Sequence, residues 1–253
     1  MNSAGVSLCI PAQGQAWNNA QVEAVKPCLE KMEATERVQW ALDFLPDNAI
    51  VTSSFGAQSA VMLHMLTRYR PTLPVVLIDT GYLFDETYQF IDQLVERLSL
   101  NLKIYHPVIS PVWQENRFGR LWEQGPDGIH QYNQMNKVEP MERALEDLQV
   151  GTWFSGLRRE QADSRRGIAV LQRHGRAMKV HPIADWTNRD VHRYLRANDL
   201  PYHPLWDKGY VSIGDRHTSQ PLVAGESAQS TRFFGLVREC GLHEPERFRR
   251  VAS

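Results

Sequence analysis

Cys240 is the residue of this chain whose type and setting point most directly to covalent chemistry. It stands in Arg238-Glu239-Cys240-Gly241-Leu242-His243, and a thiol attacks only as its thiolate. Arg238 and His243 favour the thiolate and Glu239 opposes it, so the local sequence leaves its charge state open. Cys9 and Cys28 precede the first clearly periodic segment, where a thiol serves simply as a small residue. No two cysteines are spaced C-x-x-C, and none stands with histidine at metal-ligand spacing, so no metal is expected. Unpaired thiols suit a reducing compartment.

A second set of residues is suited to anions. Ser53-Ser54-Phe55-Gly56-Ala57-Gln58-Ser59 lies between a strand pattern and a helix pattern. Small residues there aim backbone N–H groups and hydroxyls along a helix N-terminus, where a phosphate or sulfate gains most. The same residues also suit a plain capping turn. Gly156-Leu157-Arg158-Arg159-Glu160-Gln161 is followed by Ser164-Arg165-Arg166, which puts four arginines within nine residues. Guanidinium forks hold phosphate and sulfate in a bidentate way that lysine does not copy; the alternative is a solvated charged surface. Asp79-Thr80-Gly81 ends another strand pattern, where Asp79 suits a ribose hydroxyl and Gly81 a tight turn. Asp85 and Thr87 suit the start of the helix that follows. Lys137 in Asn136-Lys137-Val138-Glu139-Pro140 adds a cation at a helix start.

These groups need a scaffold, and periodicity supplies one. Buried apolar runs predict strands over 49–54, 74–79, 102–107, 152–155 and 178–182. Helical spacing predicts helices over 33–44, 58–69 and 86–98, the last with a stripe of Ile91, Leu94, Val95 and Leu98. Thr187 and Asp190 form a capping-box start for one more helix, through 197. Alternation of this kind implies an α/β fold with a mostly parallel sheet and helices on both faces. Residues 1–32 read as an irregular N-terminal extension, 33–198 as the α/β domain and 199–253 as a C-terminal segment without periodicity.

Bulk properties bound the rest. The chain has 253 residues, with 28 Lys+Arg against 29 Asp+Glu, a balance that argues against general nucleic-acid binding. The opening MNSAGVSLCIPAQGQ has no basic region and only a short apolar run, unlike a secretory signal. No stretch approaches the ~20 apolar residues of a membrane helix. A cytoplasmic location without membrane contact is expected.

The motifs together resemble the adenylyl-sulfate and phosphoadenylyl-sulfate reductase family. The S-F-G-A-Q-S loop is similar to that family's modified pyrophosphate loop, and IDTGYLFDETY, TWFSGLRREQADSR (152–165) and ECGLH (239–243) follow in the family's order. The match runs from about residue 33 to 243. The resemblance implies a Rossmann-like adenine-nucleotide alpha-hydrolase fold with a mobile C-terminal tail. It also implies a phosphosulfate substrate held by the serine loop, by Asp79, Thr80, Gly81 and Gly156, and by Arg158, Arg159, Arg165 and Arg166, with Lys137 beside the phosphosulfate. His217, Arg232 and Arg238 would cover the substrate from the C-terminal segment, beside His243. Cys240 would attack sulfur to give an S-sulfocysteine, which thioredoxin, or glutaredoxin in its place, would reduce to sulfite in sulfate assimilation. Homodimers are common in the family.

Cluster-bearing members carry four cysteines where this chain has Tyr132, Asn133, Asp215 and Thr218. Iron–sulfur ligation needs thiolates, so no cofactor is expected, and this absence marks the type that uses the 3'-phosphorylated substrate. A cluster-free reductase of adenylyl sulfate is the alternative. A sulfate-activating enzyme of the same loop class, or a nucleotide-binding protein without catalysis, would have no use for Cys240.

Overall fold

A computed structural model describes residues 17–223, 225 and 230–236. Cys9, Arg238, Cys240 and His243 lie outside the described residues.

Six strands form one sheet: β1 (Ala49–Thr52), β2 (Pro74–Ile78), β3 (Asn101–Tyr105), β4 (Thr152–Ser155), β5 (Leu171–His174) and β6 (Ala177–Val180), in the order β3-β2-β1-β4-β6-β5. The central strands are short runs of β-branched and apolar residues because the sheet is covered on both faces. From β1 the chain steps outward through α3 (Ala60–Tyr69) to β2, and through α4 (Asp85–Leu98) to β3. It then returns through α5 (Pro111–Phe118), α6 (Gly125–Asn133) and α7 (Glu139–Asp147) to β4, on the other side of β1. Right-handed crossovers in opposite directions place their helices on opposite faces. Val51, Val75 and Phe154 accordingly share a core with Leu63, Phe90 and Leu195, while Ile50, Val76 and Trp153 pack with Met141 and Ala144 of α7.

The sheet order reverses between β1 and β4. Their register pairs Val51 with Phe154 and Thr52 with Ser155, so the two strands end level and their following loops leave side by side. Ligands of open α/β sheets bind at such a point.

The strands and helices read from periodicity are present within a few residues. In α8 (Asn188–Ala197), the Thr187 hydroxyl accepts from Asp190 N–H and the Asp190 carboxylate accepts from Thr187 N–H at 2.9 Å. Asp85 and Thr87 sit in the first turn of α4 but do not cap it; Phe84 is the N-cap and makes no side-chain bond.

Two expectations need correction. Residues 17–32 are not irregular: α1 (Asn19–Leu29) starts with an Asn18/Gln21 capping box and buries Val22, Val25 and Leu29, with Trp17 before it. Arg37 of α2 (Ala34–Phe44), 1% exposed, ties this helix down by donating to the carbonyls of Leu29 and Glu30, to Pro182 O, and to both Asp185 oxygens. The segment after Asn198 is also no loose appendage over its described part. It has only short 3-10 turns, yet it buries His203, Leu205, Ile213, Thr218 and Phe233. The β5–β6 hairpin was not expected either, since β5 is an antiparallel edge strand of mixed polarity turning through Gly175 at φ 57°.

Candidate active site

A cavity of about 500 Å³ opens where the loops after β1 and β4 meet. Ser53, Ser54, Gly56, Ala57, Gln58 and Ser59 line it from the first loop, and Gly156, Arg158 and Arg165 from the second. Thr80 joins from the end of β2, and Lys137 from the π-helical turn (Gln134–Val138) between α6 and α7. Residues 211–215 and Arg232 close the remaining side.

The first loop is shaped by its own hydrogen bonds. The Ser53 hydroxyl accepts from Phe55 N–H at 3.0 Å, and Phe55 takes φ 48° with its ring fully buried. This turns Ser54 and Gly56–Ser59 toward the cavity at the start of α3. The Ser59 hydroxyl is buried at the helix N-cap with no protein partner. An unpartnered donor beside orphan backbone N–H groups is a ready anion cradle. Gly56 brings the loop against the 213 backbone, where an added Cβ would lie 3.5 Å from Ile213 O.

The arginine block divides in two. Arg158 and Arg165 face the cavity. Arg158 is 3% exposed and donates to Gln58 Oε1 at 2.7 Å, Asn188 Oδ1 at 2.8 Å and Trp186 O at 3.1 Å, so it braces the walls. Burial pushes its pKa down. Arg165 donates to Gln161 Oε1 at 2.6 Å. Arg159 and Arg166 do not line the cavity. Arg159 bonds Glu30 at the end of α1 and Ile168 O, and Arg166 is a solvated side chain paired with Asp163 at 2.6 Å.

Four more expected contacts are displaced. Phe55 belongs to the core. Asp79 lies outside the cavity lining, where its Oδ1 accepts from Gly81 N–H at 2.8 Å and from Tyr88 Oη–H at 2.9 Å. Gly81 shapes the same turn at φ 74°, where a Cβ would strike Pro111. His217 is half-buried among aromatic rings, stacked on Trp122 with centroids 3.7 Å apart and edge-on to Tyr82 and Tyr132. Burial lowers its pKa to about 4, with Lys137 acting in the same direction and Asp215 against it.

Asp215 and Arg232 frame the far wall. Thr80 Oγ1 donates to Asp215 Oδ1 at 2.6 Å, and Lys137 Nζ lies 2.6 Å from Asp215 Oδ2. Burial alone would raise this carboxyl's pKa, but the ammonium and the Thr80 hydroxyl hold it well below the usual carboxylate range. Arg232 lies over the bare backbone of Gly214, where any side chain would collide with the guanidinium. Sequence reasoning assigned no contact to Asp215, Asn188 or Gln161, although Gln161 stands in the arginine block and Asp215 where cluster-bearing relatives have a cysteine. Tyr132, Asn133, Asp215 and Thr218 are all buried, but a phenol, an amide, an engaged carboxylate and a hydroxyl do not fit an iron–sulfur cluster.

The fold and this cavity define a Rossmann-like α/β protein of the pyrophosphate-loop class, with cationic and N–H groups lining a cavity suited to an anionic ligand. Comparison with known proteins sharpens the assignment. The family model described as phosphoadenosine phosphosulfate reductase domain matches residues 48–221. The phosphoadenosine 5'-phosphosulfate reductase of Alteromonas mediterranea is 64% identical over 220 residues, covering 87% of this chain and 89% of that one. Its namesake from Vibrio cholerae is 60% identical over 216 residues, 85% of each chain. The chain belongs to the phosphoadenosine phosphosulfate reductase family. A crystal structure of phosphoadenylyl-sulfate reductase from Candida auris, in complex with phosphate, superposes with a TM-score of 0.71 at 28% identity, over 82% of this chain and 100% of that one. FMN adenylyltransferase of Candida glabrata shares the fold alone, with a TM-score of 0.56 at 15% identity, over 86% of this chain and 71% of that one.

Proposed function

We propose that this enzyme reduces 3'-phosphoadenylyl sulfate to sulfite and adenosine 3',5'-bisphosphate, with thioredoxin as electron donor. The observation that carries the reading is the cavity at the β1/β4 switch point, with its serine loop and its Arg165, Lys137 and Arg232 walls, in a chain whose relatives at 60–64% identity bear that enzyme's name.

The nucleotide lies across the switch point with its phosphosulfate on the N-terminus of α3. The Cys240 thiolate attacks sulfur in line with the bridging oxygen, and the S–O bond breaks. Its electron pair leaves on the 5'-phosphate oxygen, whose charge the cavity cations and loop N–H groups stabilise. The product on the enzyme is Cys240–S–SO3⁻. A dithiol protein then attacks Sγ of Cys240, and the S–S bond breaks with its electron pair departing on sulfite. The donor's second thiol attacks its own sulfur in the mixed disulfide and frees the Cys240 thiolate. The dithiol is oxidised by two electrons, sulfur is reduced by two, and two protons are released.

Leu236 is four residues from Cys240, so the tether spans at most ~14 Å at about 3.3–3.6 Å per residue. Arg232 on the cavity wall supports this reading, since it puts the described part of the C-terminal segment beside the site. Glutaredoxin as alternative donor, a role in cytoplasmic sulfate assimilation and a homodimeric state complete the proposal. No helix among the described residues is long and apolar enough to cross a membrane.

The direct test omits the dithiol: incubation with the phosphorylated nucleotide should add one SO3 group to the peptide bearing Cys240, seen by mass spectrometry. An unmodified Cys240 alongside bisphosphate release would rule out the covalent intermediate.

A further inference from the structure

We propose that Asp215 is a positioning residue that acts through Lys137, pinning its ammonium at the cavity wall and limiting how tightly it grips the anionic nucleotide. The inference rests on the reductase reading above and adds to it a residue that touches the ligand only through another.

The geometry is specific. Asp215 is 1% exposed and lines the cavity. Its two oxygens are taken by groups from two separate parts of the chain, Thr80 after β2 and Lys137 in the π-helical turn. Lys137 is itself 7% exposed, with Nζ 4.9 Å from the centroid of Phe233 and 5.3 Å from that of Tyr132. The ammonium is therefore held from three sides, by a carboxylate and two ring faces, and its open side is the cavity. An ammonium has three donors, and the ion pair with Asp215 does not exhaust them. π-Turns inside helices recur at functional sites, and this one brings Lys137 to the wall.

Folding alone gives little reason for the arrangement. A buried ion pair is weak evidence for stability, because apolar residues of similar volume often do as well. A carboxylate beside a site for a multiply charged anion also opposes that ligand, by simple Coulomb repulsion. Its presence makes sense if the unpaired alternative is worse for turnover. A free Lys137 would bind substrate and product more tightly by the same amount, and such uniform binding does not speed the chemical step. It would slow release of the bisphosphate, and an untethered ammonium would lose its alignment with the phosphosulfate.

The test uses the full chain, with calorimetry of adenosine 3',5'-bisphosphate and steady-state sulfite formation. Asp215→Asn should tighten bisphosphate binding roughly three- to tenfold while kcat falls about tenfold. In a Lys137→Met background the same substitution should tighten binding by less, the remainder being direct repulsion of the ligand, and should lower kcat no further, because its effect on turnover passes through the ammonium. Asp215→Asn that leaves both quantities unchanged, or that weakens binding along with kcat, overturns the proposal. Should Asp215→Asn fail to fold, Thr80→Val decides, since it keeps both charges and removes one hydrogen bond. It should move Kd and kcat in the same two directions by less, and no movement in either overturns the proposal. Wild-type enzyme that binds no bisphosphate would instead defeat the reductase reading itself.

Discussion

Replacing Arg165 with methionine, while leaving its neighbour Arg166 alone, separates a ligand contact from a surface charge one residue away. Arg165 lines the cavity beside Gln161, to which it donates at 2.6 Å. Arg166 points outward, 78% exposed and paired with Asp163. One hydrogen bond to a charged group contributes about 1.5–3 kcal/mol, which corresponds to roughly 10- to 150-fold in Kd. Arg165→Met should therefore weaken bisphosphate binding by at least about tenfold and flatten its dependence on salt. Arg166→Met removes a charge that solvent already screens and whose partner lies on the surface. The expected change is less than about twofold. Calorimetric titration of both variants at two ionic strengths reads the contrast, with thermal unfolding as a check that each is folded. Equal losses in the two variants would refute the argument, because an undirected basic surface, not a built site, would then be attracting the ligand.

Arg37→Met should cost stability, because it strips the guanidinium from the half-exposed Asp185 and from the carbonyls of Leu29, Glu30 and Pro182; about 2–4 kcal/mol is expected, a drop in Tm of order 10 °C, and a drop under 2 °C would show that α1 is not held this way. Gly81→Ala should destabilise through its φ of 74° and the clash with Pro111, by about 1 kcal/mol or more, read as a lower urea midpoint. Burial lowers the pKa of His203 and of His217 to about 4 from 6.5, so both are neutral when folded. The unfolded chain takes up these protons first, and the stability they confer is present above pH 6.5 and lost as pH falls toward 4. The urea midpoint should fall between pH 7 and 5, less steeply in His217→Phe, and a flat profile in the wild type would contradict the burial argument. Cys240→Ser should abolish sulfite release with bisphosphate binding intact, whereas Cys28→Ser should leave both unchanged; loss of binding in Cys240→Ser would contradict the separation of binding from chemistry.

The parts of this protein that could be read before its structure are those governed by local rules. The central strands are legible because burial on both faces demands short apolar runs, as in Pro74–Ile78. Start signals such as Thr187 with Asp190 are legible because capping is local. The loop at Ser53–Ser59 is legible as a strand-to-helix turn because its small residues stand between two periodic segments, while its use as an anion cradle is not separable there from plain capping. Side-chain direction after such a turn is not local. Arg158 and Arg159 are adjacent, yet one faces Gln58 and Asn188 across the cavity and the other reaches back to Glu30. Phe55 sits inside the loop motif, but its left-handed backbone sends the ring into the core. The stripe of Val22, Val25 and Leu29 in α1 is visible once known, but Pro27 and the surrounding polar residues mask it. Asp215 is legible only as a position without a cluster thiolate; its pairing is not, since its partners Thr80 and Lys137 lie 135 and 78 positions away in the chain, and only the closed fold brings them within 2.6 Å of it.

The central claim, that this cavity and Cys240 together reduce a phosphorylated nucleotide sulfate, is tested most directly by measuring sulfite. Purified iron-free protein with reduced thioredoxin would be given 3'-phosphoadenylyl sulfate and adenylyl sulfate separately, at equal concentrations. Rapid sulfite formation from the phosphorylated substrate, with little from adenylyl sulfate, is the predicted result. Equal or reversed preference would contradict the assignment of substrate, and no sulfite from either would contradict the chemistry assigned to Cys240.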